Sequence, residues 1–188
     1  MNTLEFYLQM ETLSGTNDKI QLLEEMFKKN NDTFTTFIKL VYDPMYNFYM
    51  KLTKKDVDLE VCDDHNYDEY IIERFNMLLT NIFIDSKRGK DVKQYMIEFI
   101  EQHGDNKLRE MLFNAVNRNL KVGIQVKSIN KAYKNIYGKD LIEEVPYMRC
   151  SLKDKSNWDK LEWEEGVIVQ LKADGMFCNA YYEDGHWL

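Results

Sequence analysis

Apolar side chains recur at helical spacing along most of the first 138 residues, and this pattern constrains the fold more than any other feature of the chain. Side chains that are three, four, seven and eight positions apart lie on one face of an α-helix. Two neighbouring stretches carry the full stripe: Val92, Tyr95, Met96, Phe99 and Ile100 in the first, and Leu108, Met111, Leu112, Ala115 and Val116 in the second. The 188 residues include only two prolines and eight glycines, and 44% are hydrophobic, which favours a helical protein with a packed core.

Capping and turn residues between the stripes indicate where each helix begins and ends. Together they predict a bundle of about seven short helices over residues 1–138. The predicted segments run over 3–13, from Thr16 as N-cap to Lys29, over 32–42, from Pro44 through Leu52, over 68–84, from the turn at 86–89 to His103, from Asp105 to the turn at Gly123, and from Val126 to a stop at Gly138. Residues 53–66 are polar, acidic and without period, and are predicted to form a loop.

The pattern changes after Gly138. Residues 139–165 contain Pro146, two tryptophans and many charges, and show no helical period. Two apolar runs at 167–172 and 176–182 are typical of β-strands, and the Asp-Gly pair within residues 183–186 predicts a turn before a further strand. A sheet of two or three strands is not stable by itself, so residues 166–188 are predicted to begin a second domain, with 139–165 as the connection.

A single lysine, Lys172, ends the first of these apolar runs. The run Val167 to Leu171 leads into it, and Asp174 and Gly175 follow two and three positions later. A lysine beside buried strand residues is costly unless it is paired or used chemically. Without further context, an ordinary surface lysine at the end of a strand is the simpler interpretation, and a nucleophilic lysine is the alternative.

The motif and the stretches before it resemble the ATP-dependent DNA ligases of large tailed bacteriophages. The resemblance rests on these stretches: Lys-Leu-Val-Tyr-Asp-Pro at 39–44 followed by Tyr49, Asn-Leu-Lys-Val-Gly at 119–123, Ser-Ile-Asn-Lys-Ala-Tyr at 128–133, Pro-Tyr-Met at 146–148, and Lys-Ala-Asp-Gly at 172–175. It implies a mainly α fold, with an N-terminal helical DNA-binding domain over 1–138 and then the first strands of an α/β nucleotidyltransferase domain. The chain departs from the family at Arg149 and Cys150, and at Phe177, where an arginine is usual.

The resemblance also implies a chemistry. Lys172 would take AMP from ATP, pass it to the 5′-phosphate at a nick in duplex DNA, and so allow the 3′-hydroxyl to displace AMP. Such sealing serves DNA replication, repair and recombination. The nucleotide pocket implied by the family comprises Gln170, which would read the adenine, with Leu171, Lys172, Asp174, Gly175 and Phe177. The ligands for Mg²⁺ are expected beyond residue 188, and we therefore expect this chain alone not to complete ligation.

Lysine is a poor nucleophile at neutral pH. Its ordinary pKa is near ~10.4, so only a few molecules in ten thousand are uncharged at pH 7. The apolar residues before Lys172 would lower that pKa by removing water from the ammonium group, and a cation on the triphosphate would lower it further.

The charge distribution bears on nucleic-acid binding. The net charge of −7 argues against it, since neutralising phosphates requires clustered bases. The charges are segregated, however: residues 56–75 hold eight acids and one base, whereas residues 85–135 hold eleven bases and six acids. The predicted DNA contacts flank the Gly123 turn and are Arg118, Lys121, Lys127, Lys131 and Lys134. A solvated helix face explains these bases equally well.

The remaining features favour a cytoplasmic protein, in the host cytoplasm if it is a phage protein, and we expect a monomer. Cys62, Cys150 and Cys178 are odd in number and far apart, which predicts reduced thiols. Neither the cysteines nor the histidines show metal-ligand spacing. No apolar run approaches the ~18 residues of a membrane span, and the N-terminus lacks the features of a signal peptide.

Two other functions stay open at this stage. An RNA ligase or capping enzyme would share the lysine motif but is not expected to carry the helical residues 1–138 first. A non-catalytic helical module that binds nucleic acid or protein would make Lys172 irrelevant.

Overall fold

A computed structural model describes residues 1–29, 32–59, 69–85, 89–103 and 106–143, together with the backbone of 182–183 and 186–187. The chain divides into two compact units, Met1–Glu143 and Glu144–Leu188. The first unit contains nearly all the described residues and is described first.

Helices make up the first unit, which confirms the predicted mainly α fold. In the described residues they are α1 Thr3–Thr12, α2 Thr16–Lys28, α3 Asp32–Tyr42, α4 Glu69–Ile84, α5 Lys90–Gln102, α6 Asn106–Val116 and α7 Val126–Tyr137. Capping residues explain several of the boundaries. Asn2 and Glu5 form a reciprocal capping box at α1, and Gly138 adopts the left-handed conformation that ends α7 as predicted. At α2 the cap is Gly15, and Thr16 is the first helical residue rather than the predicted cap.

The predicted stripes form the core. Aromatic rings join the first three helices, with Phe6 and Phe34 at 4.8 Å between ring centroids and Phe27 and Phe34 at 5.5 Å. α2 packs along α7, where Phe27 meets Tyr133 edge to face at 5.2 Å, and α3 packs along α4. One stripe member differs, because Tyr95 is exposed on α5.

Residues 44–52 are not helical, so the helix predicted to begin at Pro44 is wrong. The backbone N–H groups that a helix would use bind side chains instead. Met45 N–H donates to Asp43 Oδ1 at 3.0 Å, Tyr49 N–H donates to Asn47 Oδ1 at 3.0 Å, and Leu52 N–H donates to a distant asparagine. Local side-chain acceptors of this kind compete with helix formation. Phe48 and Leu52 are nevertheless buried, so the segment packs its apolar side chains without regular structure.

α6 also ends earlier than predicted, at Val116 rather than near Gly123. Arg118 N–H donates to Ala115 O at 2.9 Å and Asn119 N–H to Asn114 O at 3.1 Å. These two bonds form the Schellman motif that closes a helix, with Arg118 in the left-handed position that glycine usually occupies. An arginine there gives no sequence signal for a helix end.

The first unit finishes against α7. The Asn130 side chain donates to Ile142 O at 2.8 Å, and its oxygen accepts from the backbone N–H groups of Leu141 and Ile142. Ile142 is fully buried, so residues up to Glu143 belong to the helical core. Among the described helices, none combines the length and apolar character needed to cross a bilayer.

In the second unit the structure describes two short strands, β1 Tyr182–Glu183 and β2 His186–Trp187. They pair antiparallel, with Tyr182 opposite Trp187 and Glu183 opposite His186. In sequence the two strands lie on either side of Asp184 and Gly185, where a turn is predicted. The strand predicted over 167–172 lies outside the described residues, and so do residues 176–181 of the strand predicted over 176–182.

Candidate nucleic-acid interface

Two segments of the helical unit run for twelve residues or more with bases and no acids. Residues 44–55 hold Lys51, Lys54 and Lys55, and residues 111–139 hold six bases over 29 positions. The second set comprises Arg118, Lys121, Lys127, Lys131, Lys134 and Lys139. In a chain of net charge −7, such segments are where a phosphate backbone would meet the least repulsion.

The fold holds these two segments together through one asparagine, Asn117. Leu52 N–H donates to its Oδ1 at 3.0 Å, and its Nδ2 donates back to Leu52 O at 3.1 Å. The same Nδ2 also donates to Phe113 O at 3.1 Å. The amide therefore pairs with the backbone of Leu52 as a neighbouring strand would, and it places residues 44–55 beside the loop between α6 and α7.

Arg118 makes a second connection between the segments. Its guanidinium donates to the backbone oxygen of Asp43, and its Cζ lies 5.9 Å from the centroid of the Phe48 ring. The side chain is half-buried, and this burial lowers the pKa of Arg118 while the carboxylate of Asp43 opposes the shift. The predicted DNA contact thus has a structural role, because part of its hydrogen-bonding capacity is used within the protein.

Hydrogen bonds from α3 and α2 hold the loop from Leu120 to Gln125 against the rest of the unit. Leu120 N–H donates to the buried Tyr42 hydroxyl at 3.4 Å, and burial raises the pKa of that hydroxyl. Lys19 Nζ, from α2, donates to Val122 O at 2.7 Å. Gly123 has φ +73°, and a Cβ there would lie 2.7 Å from Lys19 Nζ. Lys19 is a further cation at this loop, and no sequence pattern indicates it because its partner is 103 residues away.

Lys121, in this loop, is exposed and has φ +62°. Left-handed backbone is uncommon for residues other than glycine and is found often at functional sites. Its backbone N–H donates to Asn119 Oδ1 at 2.9 Å, which stabilises the turn locally. The predicted contact Lys121 therefore extends from a defined, solvent-facing turn.

The lysines of α7 form one exposed stripe. Lys127, Lys131 and Lys134 are four and three positions apart, so they lie on the same face, and all three are exposed. Ile129 and Ala132 on another face are fully buried. Lys134 is 4.0 Å from Asp140, a pair so open to solvent that it contributes little. Three of the five predicted contacts are thus brought together by one helix.

The helix that carries this stripe begins without a side-chain cap. Gln125 is its N-cap residue and makes no side-chain hydrogen bond to the first turn, unlike Asn2 at α1. The first N–H groups of a helix carry partial positive charge and attract anions.

On the neighbouring helix α2, Glu24 accepts a bond from Asn135 at 2.7 Å and is the acid that contacts α7 most closely in the described hydrogen bonds.

The predicted nucleotide pocket lies outside the described residues. This applies to the candidate nucleophile Lys172 and to Gln170, Leu171, Asp174, Gly175 and Phe177. Their roles stay predictions from the sequence. Within the described ranges, no group of three or more histidine, cysteine, aspartate or glutamate side chains is arranged to hold a metal ion.

Comparison with known proteins gives a likeness of fold. No protein-family model and no curated protein sequence matches the chain. Two solved structures, named Pmar-Lig_PreS3 and Pmar-Lig_Pre, are similar to it with TM-scores of 0.64 and 0.58, each at 19% sequence identity. The matches cover 76% and 74% of this chain but 32% and 31% of those chains. This chain therefore spans about a third of the length of two structures with ligase names, and it shares their fold over that part.

Proposed function

We propose that this chain is the N-terminal portion of an ATP-dependent DNA ligase, in which the helical unit binds nicked duplex DNA and Lys172 accepts AMP. The observation that carries the proposal is the likeness of fold to two ligase-named structures in a chain that also contains Lys-Ala-Asp-Gly at 172–175. Neither observation is sufficient alone, because the motif is short and the sequence identity is 19%.

The helical unit contributes phosphate contacts in this proposal. Lys121, Lys127 and Lys131 supply exposed ammonium groups near the start of α7, and the uncapped helix terminus adds main-chain donors. Contacts of this kind position a protein on the duplex without reading its sequence. That suits an enzyme that must act at nicks of any sequence.

The proposed reaction at Lys172 is a nucleotidyl transfer. The uncharged Nζ attacks the α-phosphorus of ATP, a phosphorus–nitrogen bond forms, the bond to the bridging oxygen of the β-phosphate breaks, and pyrophosphate leaves. One proton from the amine passes to solvent. AMP then moves to the 5′-phosphate of the nick, and the 3′-hydroxyl displaces it to form the phosphodiester. Mg²⁺ would neutralise charge on the triphosphate.

A labelling experiment tests the nucleotidyl transfer. This chain and the longest available form of the protein are each incubated with α-³²P-ATP and Mg²⁺, and label is sought on the denatured protein. A lysine–AMP bond survives alkali and is released by mild acid, as expected of a phosphoramidate. We expect Lys172→Ala to abolish the label and Lys155→Ala, a lysine from the connecting segment, to retain it. Equal labelling of both variants would contradict the assignment of Lys172.

A binding experiment tests the DNA interface separately. We expect the chain to bind a nicked duplex with an affinity that falls as salt rises. The logarithm of the association constant should fall against the logarithm of salt concentration with a slope of about 0.9 per phosphate contact. Replacing Lys121, Lys127 and Lys131 by glutamine should weaken binding by about tenfold or more and reduce that slope. Replacing Lys28, Lys29 and Lys90 by glutamine, three exposed lysines outside residues 44–55 and 111–139, is the matched control.

The second candidate function is a helical nucleic-acid-binding module without catalysis. The observation that favours it is that residues up to Glu143 enclose a core of their own. It predicts salt-dependent DNA binding that Lys172→Ala leaves unchanged, together with no label from ATP on any form of the chain.

A further inference from the structure

Tyr49 is held in an unusual position at the surface. Its side chain is 64% exposed, whereas that of the preceding Phe48 is 3% exposed. Its φ is +49°, in the left-handed region that side chains with a Cβ rarely adopt. A bulky aromatic residue in this conformation persists only where the surrounding structure determines it, and such residues cluster at binding sites.

The contacts on both sides of Tyr49 account for its conformation. Its own N–H donates to Asn47 Oδ1 at 3.0 Å. On one side Phe48 is anchored in the core beneath Arg118, and on the other Leu52 is paired with Asn117. Phe48 and Leu52 are both held in place, and Tyr49 lies exposed between them.

The chain segment that contains Tyr49 is basic. It lies in the acid-free segment 44–55, which contains Lys51, Lys54 and Lys55. The Phe48 ring is 5.9 Å from Arg118 Cζ, and Lys121 follows Arg118 by three residues, a span of at most about 10 Å. The ring therefore stands at the same end of the unit as the basic loop before α7.

We infer that Tyr49 packs its ring against the sugar or base edges of DNA held by these basic loops. The inference rests on the proposed DNA-binding function and adds to it a contact of a different physical kind. Lysines bind phosphates through charge, and salt weakens these contacts. An aromatic ring contacts sugars and bases through stacking and burial, which salt affects little. An exposed ring in a segment that holds three lysines and no acids suits nucleic acid as its partner.

Binding to a nicked duplex as a function of salt tests this inference. Tyr49→Ala should weaken binding by about tenfold with an unchanged salt slope, since base–aromatic contacts of this kind are lost without loss of a phosphate contact. Tyr49→Phe, which keeps the ring, should bind as the unchanged chain does. Tyr95→Ala removes another tyrosine, 56% exposed on α5, and should have no effect.

A glycine variant separates binding from folding. Glycine adopts positive φ freely, so Tyr49→Gly should melt roughly 2–4 °C above Tyr49→Ala while binding DNA as weakly as Tyr49→Ala does. Both variants lack the ring, so weak binding by the more stable variant would show that the lost affinity does not come from unfolding of the loop. Unfolding of the loop would instead lower the melting temperature and overturn the inference.

The outcomes separate this inference from the function on which it rests. Absence of DNA binding by the unchanged chain overturns the proposed function and the inference together. Binding that depends on Lys121, Lys127 and Lys131 but is indifferent to Tyr49→Ala overturns the inference alone. A reduced salt slope in Tyr49→Ala would also overturn it, because the variant would then act through phosphate contacts.

Discussion

Helix α7 and the irregular segment 43–59 both carry lysines of the proposed interface, but different forces hold them in place. α7 packs along α2 through residues repeated at helical spacing, such as Ile129 and Ala132. Segment 43–59 has no regular structure, and two polar side chains from the end of α6 bind its backbone.

This difference predicts unequal sensitivity to mutation. The position of a packed helix is shared among many weak contacts, so that losing one polar group on its surface changes little. The position of an irregular segment depends on a few hydrogen bonds and on one or two buried side chains, so that losing either exposes backbone groups.

The largest effect is expected at Phe48, the buried anchor of the segment. Phe48→Ala should lower the free energy of unfolding by about 3–5 kcal/mol, as removal of a buried phenylalanine does. The neighbouring Tyr49→Ala should change it by about 0.5 kcal/mol or less, because that ring is exposed. Urea denaturation of both variants measures the contrast, and similar values for the two would mean that the burial of Phe48 contributes little.

The next effect concerns Asn117, which pairs with Leu52 and with Phe113 O. Asn117→Ala removes three hydrogen bonds and leaves part-buried backbone groups unpaired, at an expected cost of about 2–3 kcal/mol. Asn135→Ala is the matched change on α7, where the exposed amide bonds Glu24, and should cost about 0.5 kcal/mol or less. Equal costs would show that polar contacts do not distinguish the two regions.

The same contrast explains which parts of the fold the sequence could predict. Helical spacing identified the stripes on α5 and α6, because burial of one face is a local requirement that recurs every turn. Segment 44–52 has a comparable density of apolar residues and a proline suited to a first turn, yet it is irregular. The acceptors that prevent the helix are Asp43, Asn47 and Asn117, and the last of these is 65 residues away from its partner.

The candidate interface was predictable to a similar extent. Lys121, Lys127, Lys131 and Lys134 are exposed, as expected of cations on a solvent-facing stripe and turn. Arg118 stays a predicted contact, and its bond to Asp43 O, which joins residues 75 positions apart, gives it a structural role as well. Lys19 was missed for the same reason. A side chain that acts through a distant backbone oxygen leaves no pattern in the sequence.

A smaller effect is expected at Arg118. Its left-handed backbone destabilises the fold, whereas its side-chain bond to Asp43 O stabilises it. The left-handed C′ position favours glycine over alanine by about 1 kcal/mol. The Arg118→Gly protein should therefore be more stable than Arg118→Ala by about that amount, although both lose the bond to Asp43 O. Comparing these two variants in urea isolates the backbone cost, and equal stability would contradict a strained φ at this position.

The smallest effect is expected at Asp56, which ties the end of segment 43–59 to α5. Thr53 N–H and Oγ donate to its carboxylate at 2.6 and 2.7 Å, and Lys93 Nζ lies 3.0 Å away. The bonds from Thr53, and then that from Lys93, lower the pKa of Asp56 to about 2 from its ordinary 3.8.

The sign of the pH dependence follows from that lowered pKa. The native state holds the carboxylate ionised more strongly than the unfolded chain does, so its stabilising effect is complete above about pH 4 and is lost as pH falls toward 2. Asp56→Asn should melt at a slightly lower temperature than the unchanged chain at pH 7, and the two melting temperatures should converge between pH 4 and 2. Lys93→Met in both backgrounds serves as the control, because it should shrink the difference at pH 7 if the ion pair contributes. A difference that persists at pH 2 would assign the effect to the altered hydrogen bonds of the amide, so that charge would have no part in holding segment 43–59 against α5.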